Sequence, residues 1–183
     1  IEGIKGDSSL NSNEKWDKIS AVLEEMYNKL DESEKEGLIE KIDDAISDYE
    51  ARLQAERSKT VIHKIKIENG NIEYDTRGEV PGYLLNQFSM DENDNYFRVA
   101  TTTEIWTTKE SVMYNNVYVL DDKLSIAGKL EAIAPDERIY STRFIGDRLY
   151  MVTFQRIDPL FVIDISNPSK PEIRLRQITP LRF

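Results

Sequence analysis

The sequence predicts an α+β fold that is mainly β, with an N-terminal αα-hairpin followed by antiparallel strands. Through residue 58 the chain has no proline, its three glycines end at Gly37, and apolar residues recur at the three-four spacing of a helix face. Beyond residue 58, glycine, proline, threonine and aromatic residues become frequent, and the apolar period shortens to two. We therefore expect a flexible segment over 1–12, a helical hairpin over 13–58 and a β region over 59–183.

Two amphipathic helices account for the first third of the chain. We expect Asn13 to cap the first helix, and Ser33 with Glu36 has the spacing of a capping box that starts the second. Each apolar stripe is expected to pack on the other helix and on the β region, and a docking surface for a partner helix or chain is the alternative. The stripes comprise Trp16, Ile19, Val22, Leu23, Met26, Tyr27 and Leu30, then Leu38, Ile39, Ile42, Ala45, Ile46, Tyr49 and Leu53.

The β region divides into short strands separated by turn residues. Asn69 and Gly70 form a hairpin dipeptide, because both residues tolerate positive φ. No helical pattern interrupts the strands, so an antiparallel all-β arrangement is predicted. The predicted strands are 60–68, 71–76, 85–90, 96–102, 117–121, 125–130, 139–145, 148–154, 160–164 and 172–176.

An internal repeat groups these strands into units of four. Residues 97–101 align with 150–154 at an offset of 53, and 117–121 align with 160–164 at an offset of 43. A tight turn precedes both members of the first pair, at Asp94-Asn95 and at Gly146-Asp147. Four antiparallel strands that recur every 40–50 residues are typical of a β-propeller blade. A β-sandwich with accidental similarity is the alternative.

The length sets the number of blades. About 125 residues follow the helices, which is enough for about two and a half four-stranded blades, whereas the smallest propellers need four. The predicted ring is therefore incomplete, and we expect the chain to be a piece of a larger propeller. Its open blade edges could pair with another copy, which would give a homo-oligomer.

Composition excludes several classes of function. The chain has 34 acidic and 24 basic residues, a net charge of −10 and a pI near 4.7, which argues against nucleic acid and anionic membranes as partners. It has no cysteine, and its one histidine, His63, cannot form a site that needs two imidazoles. No run of about 18 apolar residues is present, so no membrane span is expected.

Several segments of the β region resemble a known family. Residues 79–92, with the sequence EVPGYLLNQFSMDE, and residues 96–102, YFRVATT, are similar to the secreted archaeal and bacterial proteins that carry a C-terminal β-propeller domain. Residues 60–65, 129–131, 137–141 and 158–164 fit the same family, so the resemblance covers about 59–175. It implies a secreted or cell-surface propeller protein, with the helices inserted before a propeller strand. It implies no catalytic residue.

One segment has the opening of a calcium loop. Asp91, Asn93 and Asn95 match the D-x-N-x-N spacing that turns alternate oxygens toward one ion. Tyr96 replaces the required glycine, however, and Thr102 stands where the bidentate glutamate is needed. A tight turn between two strands accounts for the same residues. We predict the turn, and calcium is the one cofactor kept as an alternative.

Candidates for catalysis are acidic side chains near strand ends. Paired carboxylates can hydrolyse glycosides, but no spacing selects two of these residues, and acids at strand ends usually form turns. Any mechanism that depends on histidine would rest on His63 alone. The carboxylates are Asp121, Asp122, Asp136, Glu137, Asp158 and Asp164, and the aromatic residues that could form a binding platform or a core are Trp106, Tyr114, Tyr118, Tyr140 and Phe154.

The sequence thus favours a non-catalytic extracellular recognition or scaffold module that binds protein or glycan. The motivation is the propeller pattern, the acidic composition and the absence of a catalytic motif. The alternative is a secreted hydrolase of polysaccharide or peptide that uses an Asp/Glu pair the sequence does not place.

Overall fold

The computed structural model describes residues 2–109, 111–154 and 158–179, with only the backbone described at 158, 178 and 179. Among these residues three helices come first, and a 3₁₀ turn, Gln87–Ser89, lies between the second and third strands. The helices are α1 (Glu2–Gly6), α2 (Ser12–Asn28) and α3 (Glu32–Arg57). The strands are β1 (Lys59–Glu68), β2 (Asn71–Pro81), β3 (Met90–Asn93), β4 (Tyr96–Trp106), β5 (Ser111–Leu120), β6 (Ile126–Ile133), β7 (Arg138–Ile145), β8 (Arg148–Phe154), β9 (Asp158–Asp164) and β10 (Glu172–Thr179).

The chain forms two compact units, residues 1–47 and 48–183, with the boundary inside α3. In the first unit the helix caps lie two residues before the predicted positions. The Asn11 side chain accepts hydrogen bonds from the Asn13 and Glu14 amides at 2.9 and 3.0 Å, and the Glu14 carboxylate accepts from the Asn11 amide. Asp31 and Glu34 form the same reciprocal box at the start of α3. The predicted caps at Asn13 and Ser33 were therefore wrong, because a competing acceptor two residues earlier satisfies the first amides of each helix.

The apolar stripes of the two long helices are not packed as expected. No residue of α2 or α3 is buried. The large apolar side chains of the stripes, from Trp16 to Leu53, are mostly between 37% and 68% exposed. Helical spacing therefore predicted the helices correctly, but it did not predict burial.

The strands form three antiparallel sheets in chain order. The first sheet is the β1–β2 hairpin, and the other two, β3–β4–β5–β6 and β7–β8–β9–β10, have four strands each. This confirms the two predicted four-stranded units, as well as the Asn69-Gly70 turn, where both residues have positive φ. The strand predicted over 85–90 was wrong. The Asn86 side chain accepts a hydrogen bond from the Phe88 amide and starts the 3₁₀ turn, so β3 begins only at Met90.

The register corrects one repeat offset by a single residue. The two-residue turns 94–95 and 146–147 occupy the same place in their sheets, so β4 corresponds to β8 at an offset of 52 rather than 53. A one-residue slip would turn every side chain to the opposite face of the sheet. At the corrected offset Val99 corresponds to Met151, and both are fully buried. The offset of 43 between β5 and β9 is confirmed, because Phe97 pairs with Leu120 as Leu149 pairs with Ile163.

All three sheets share one bulge. The strand that follows the β1, β5 or β9 strand carries one extra residue, Asp75, Ala127 or Arg174 respectively. The bulge follows the same point of the partner strand in each sheet, at Lys64/Ile65, Val119/Leu120 and Val162/Ile163. Because bulges re-aim a strand at a defined place, the β1–β2 hairpin corresponds to the third and fourth strands of the complete sheets.

Two apolar clusters join the sheets face to face. Successive residues of β5 contribute to opposite clusters, as the pleat of a strand requires. The cluster between the hairpin and β3–β6 contains Val80, Val99, Tyr118, Leu120 and Leu124, with Ile62, Leu84 and Phe97 packed on it. The cluster between the two four-stranded sheets contains Ala100, Val117, Ile133, Ala134, Ile139, Leu149, Met151, Phe161, Ile163 and Ile165.

Candidate functional site

A pocket of about 250 Å³ lies where β1 passes the β3–β4 and β5–β6 turns. It contains four residues considered from the sequence, His63, Asn95, Asp121 and Asp122. It also contains polar residues that sequence reasoning did not select, because only the stacking of the hairpin on β3–β6 brings them to the same place. The lining consists of Ile62, His63, Lys64, Ile65, Glu92, Asn95, Tyr96, Phe97, Asp121, Asp122 and Leu124.

Two tight turns hold the floor of this pocket. Asp94 and Asn95 have φ of 50° and 65°, the left-handed geometry of a two-residue hairpin turn, which Asn and Asp tolerate well. At the second turn, Oδ1 of Asp121 accepts hydrogen bonds from the Lys123 and Ser125 amides, both at 2.9 Å. The Asp121 carboxylate therefore has a structural role, as the turn interpretation of strand-end acids predicted.

The charged side chains of the pocket differ in their pairing. The Lys64 ammonium donates to the Asp122 carbonyl at 2.9 Å and to the Asp122 carboxylate, and Asp75 lies 3.5 Å away. The hydrogen bond with Asp122 raises the pKa of Lys64, and the same bond lowers the pKa of Asp122. Within the described part of the chain, no hydrogen bond or ion pair engages the exposed Glu92 carboxylate. Glu92 is thus available to a ligand.

His63 lies at the rim of the pocket. Its Nδ1 is 3.4 Å from the Tyr74 hydroxyl, and the two rings are 5.9 Å apart. None of the five candidate carboxylates whose side chains are described forms a hydrogen bond or an ion pair with His63. A histidine-based hydrolytic mechanism therefore has no support in this geometry.

The three residues of the calcium-loop pattern have separate environments. Oδ2 of Asp91 accepts from Nε of Arg98 at 3.0 Å and also from Nη2, and Arg98 is 4% exposed. The Asn93 amide donates to Asp94, and Asn95 alone lines the pocket. No group of three His, Cys, Asp or Glu side chains in residues 2–109, 111–154 and 158–179 is placed to hold a metal. Calcium binding through Asp91, Asn93 and Asn95 stays the alternative to the predicted turn, and melts of an Asp91 variant with and without calcium would test it.

The other candidate carboxylates lie outside the pocket. Asp136 occupies a turn with φ of 63°, and Glu137 accepts a hydrogen bond from the Thr153 hydroxyl. Asp164 binds the Ser166 amide and hydroxyl and the Arg174 guanidinium. The Asp158 side chain lies outside the described residues. Of the five candidate carboxylates whose side chains are described, only the neighbouring Asp121 and Asp122 line the pocket.

The candidate aromatic residues do not form one platform. Tyr118 is buried, where it packs in the core and donates to Glu131 at 2.9 Å, and burial raises the pKa of its hydroxyl. Tyr140 and Phe154 contact each other with ring centroids 6.3 Å apart, and Trp106 is exposed on the β4–β5 tip. Tyr114 is half-buried on β5. The aromatic residues of the pocket are instead Tyr96 and Phe97.

The Asp164 carboxylate should make the thermal stability of the protein depend on pH in the acid range. Hydrogen bonds from Ser166, with help from Arg174, lower the pKa of Asp164 to about 2. A lowered folded-state pKa stabilises the protein above the unfolded value of about 3.9, and that contribution is lost as pH falls through about 2. We expect the Tm difference between the wild type and Asp164→Asn to be constant above about pH 5 and to shrink between about pH 4 and 2. Thermal melts across this range test it, with the exposed Asp48→Asn as control, and an unchanged difference at pH 2 would contradict it.

Comparison with known proteins identifies the fold. The sequence pattern of the family described as "Beta propeller domain" matches residues 17–174, which cover most of α2, all of α3, β1 to β9 and the start of β10. The chain belongs to this beta-propeller family. The stacked four-stranded sheets are accordingly its blades, and the ring within this chain is incomplete, as predicted.

Two archaeal relatives match most of the chain. An uncharacterized protein of Methanocaldococcus jannaschii is 35% identical over 173 residues, which is 94% of this chain and 27% of the relative. An uncharacterized protein of Archaeoglobus fulgidus is 37% identical over 167 residues, which is 91% of this chain and 25% of the relative. The chain therefore spans about a quarter of the length of these curated relatives. No solved structure matches the propeller chain significantly.

The helices of the described residues do not resemble membrane spans. None combines the length and the apolar character that crossing a lipid bilayer requires.

Proposed function

We propose that this propeller chain belongs to a non-catalytic extracellular recognition or scaffold protein, and that its pocket binds glycan. The observation that carries the proposal is the composition of the pocket, in which the Glu92 carboxylate, engaged by none of the described side chains, lies beside Tyr96 and Phe97. A carboxylate accepts hydrogen bonds from sugar hydroxyls, and an aromatic ring covers the apolar face of a sugar. The acidic composition favours such a neutral ligand over a polyanion.

The size of the pocket supports a small ligand group. About 250 Å³ is below the roughly 300–1,000 Å³ of sites that enclose a drug-sized molecule, so one sugar ring of a longer glycan suits it best. Lys64 is already bound by Asp122 and Asp75, so it fixes the wall of the pocket rather than attracting an anion.

Recognition fits the electrostatics of the pocket better than glycoside hydrolysis does. A glycosidase needs one carboxyl group whose pKa is raised so that it can act as general acid. Lys64 instead lowers the pKa of Asp122, and the Asp121 carboxylate is occupied by two backbone amides. These two neighbouring residues therefore do not form an acid and nucleophile pair.

A glycan array followed by calorimetry with the best-bound glycan tests this proposal. Because a hydrogen bond to a charged group contributes about 1.5–3 kcal/mol, we expect Glu92→Gln to weaken binding at least about tenfold. The exposed Glu36→Gln on α3 makes the same chemical change away from the pocket and should leave the affinity unchanged. Equal affinity of both variants would contradict the proposed site. Turnover of a glycoside that Asp121→Asn or Asp122→Asn abolishes would contradict a non-catalytic role.

The extracellular location rests on the family resemblance described from the sequence. Fractionation of the producing cells tests it. We expect the protein in the medium or at the cell surface, and detection in the cytoplasmic fraction alone would contradict it.

A further inference from the structure

We infer that the β1–β2 hairpin is the outer half of a blade whose two inner strands come from another stretch of a longer polypeptide. These strands would pair along the edge of β1 that faces away from β2. Helices α2 and α3 would then form the connection between the second and third strands of this blade. The proposal concerns assembly of the propeller and does not rest on the glycan site, although β1 contributes Ile62, His63, Lys64 and Ile65 to the lining of that pocket.

The bulge that β2 shares with β6 and β10 shows its position in the blade. Asp75 in β2 occupies the place that Ala127 occupies in β6 and Arg174 occupies in β10. The chain also leaves β2 and β6 in the same way, because Gly82 and Ala134, 52 residues apart, have φ of 84° and 49°. Two local features with the same spacing assign β2 to the fourth-strand position and β1 to the third.

Residues of β1 are exposed where the equivalent residues of β5 and β9 are buried. From the bulge, Ile65 corresponds to Leu120 in β5 and to Ile163 in β9. Leu120 and Ile163 are 0% exposed, whereas Ile65 is 55% exposed. His63, exposed on β1, corresponds in the same way to the buried Tyr118 and Phe161. Tyr118, Leu120 and Ile163 are covered by the face of the preceding sheet, so the uncovered positions of β1 lie on the face that a preceding blade of a complete propeller would cover.

One edge of β1 is open in the described part of the chain. Within the described residues, β2 is the only strand that pairs with β1, whereas β5 and β9 each pair with strands on both sides. A ten-residue strand with an open edge and apolar neighbours is a template for another strand. Ile67 and Ile72 extend this apolar surface toward the hairpin tip and are 72% and 75% exposed.

The C-terminal part of α3 contacts the tip between β4 and β5. The Glu50 carboxylate accepts a hydrogen bond from the Thr108 amide at 3.0 Å, and the Gln54 side chain accepts one from the Trp106 amide at 2.5 Å. Trp106 and Thr108 lie at the tip where the second and third strands of the next blade are joined. The end of α3 therefore enters β1 beside the place where a second-to-third strand connection belongs.

The two inner strands that pair along the open edge of β1 belong, in this assignment, to the same polypeptide. Both relatives match the chain over nearly its whole length, yet they are about four times as long. Such a polypeptide has ample residues for two further strands. A second copy of this chain would bring its inner strands β3–β4 and β7–β8 already built into complete sheets, so it has no free inner pair that could complete the blade of β1.

Residue-resolved hydrogen exchange compares the 183-residue chain with the full-length Methanocaldococcus jannaschii relative. We expect the β1 amides that are not bonded to β2 to exchange at least about 100-fold more slowly in the full-length protein. The segment aligned with β4, which has partners on both sides, serves as the control and should be equally protected in both. Equal exchange of the aligned β1 amides in the two proteins would overturn the proposal.

A second measurement separates the occupant from self-association. Light scattering measures the mass of the 183-residue chain at rising concentration, and hydrogen exchange of β1 is followed in the same samples. We expect a monomer throughout and unchanged β1 exchange. Protection of β1 that appears together with a dimer would show that a second copy fills the edge, and it would overturn our assignment.

A matched pair of variants gives a readout that does not depend on exchange. In the 183-residue chain, Leu120→Lys should lower the Tm by more than about 8 °C and Ile65→Lys by less than about 2 °C. In the full-length relative, lysine at the position aligned with Ile65 should lower the Tm as much as lysine at the position aligned with Leu120. A full-length protein that tolerates the first lysine would contradict a complete propeller in which a preceding blade covers β1.

Discussion

Asp91→Ala is expected to lower the free energy of unfolding by about 3 kcal/mol, because it leaves the buried Arg98 guanidinium without its counter-ion. Arg98 also donates to the Gly146 carbonyl at 2.8 Å, and it lies 5.4 Å from the centre of the Phe144 ring. The arginine thus links the second strand of one blade to the first hairpin of the next. At this chain length, the loss corresponds to a fall in Tm of roughly 10 °C.

Two controls separate the ion pair from other causes. Asp94→Ala removes a carboxylate from the adjacent turn without touching Arg98, and its effect should be much smaller. The double variant Asp91→Leu with Arg98→Met should recover most of the loss, because a buried ion pair can be replaced by apolar residues at little cost. A double variant no more stable than Asp91→Ala would contradict the assignment of the loss to an unpaired charge.

The same variant tests the calcium hypothesis. If Asp91 acts through Arg98, its replacement costs the same stability with calcium and with a chelator. If Asp91, Asn93 and Asn95 bind calcium, the ion raises the Tm of the wild type but not of Asp91→Ala. Thermal melts in both conditions, with calorimetric titration of calcium, distinguish the two outcomes.

Gly128→Ala is expected to destabilise the protein by about 3 kcal/mol, because the added methyl group meets backbone that cannot move away. A Cβ at this position would lie 2.1 Å from the Pro168 carbonyl oxygen and 2.8 Å from the Ser169 Cα. The Asn167 side chain accepts a hydrogen bond from the Ser169 amide at 3.1 Å, which fixes the loop after β9. The glycine permits the two complete blades to approach closely at this point.

Gly37→Ala is the matched control for this prediction. Gly37 lies in α3, and a Cβ added there would meet no atom of the described residues within 4 Å, apart from its own helix backbone and chain neighbours. Alanine there should raise stability by up to about 1 kcal/mol, because it favours the helix. Chemical denaturation of both variants measures the difference. Equal stabilities would contradict the close approach of Gly128 to the loop after β9.

Local sequence signals predicted nine of the ten described strands and most turns, and missed β3. Asn69-Gly70 and Asp94-Asn95 form the expected hairpin turns, because these residue types adopt positive φ with little strain. The repeat of strand types predicted two four-stranded blades, and the sheet order confirms them. The offset of 53 was wrong by one residue. A strand that is buried on both faces has apolar residues at successive positions, so an alignment shifted by one residue still matches apolar with apolar.

The candidate site was only partly accessible from the sequence. His63, Asn95, Asp121 and Asp122 were considered for different reasons, and Glu92 was not considered as a ligand-binding residue. These side chains come from three separate parts of the chain, and the stacking of the hairpin on the first complete blade places them around one pocket. Spacing along the chain carries no information about that stacking.

By itself, the sequence determined the elements of this protein: helices, then antiparallel strands grouped in blades, because propensity, turn chemistry and periodicity act between residues close along the chain. The tertiary structure alone decided which apolar residues are covered. Ile65 and Leu120 have the same pattern around them, yet only Leu120 has strands on both sides and a neighbouring sheet. Burial depends on residues distant in the chain, so hydrophobic spacing predicts the face that can be buried but not whether anything covers it.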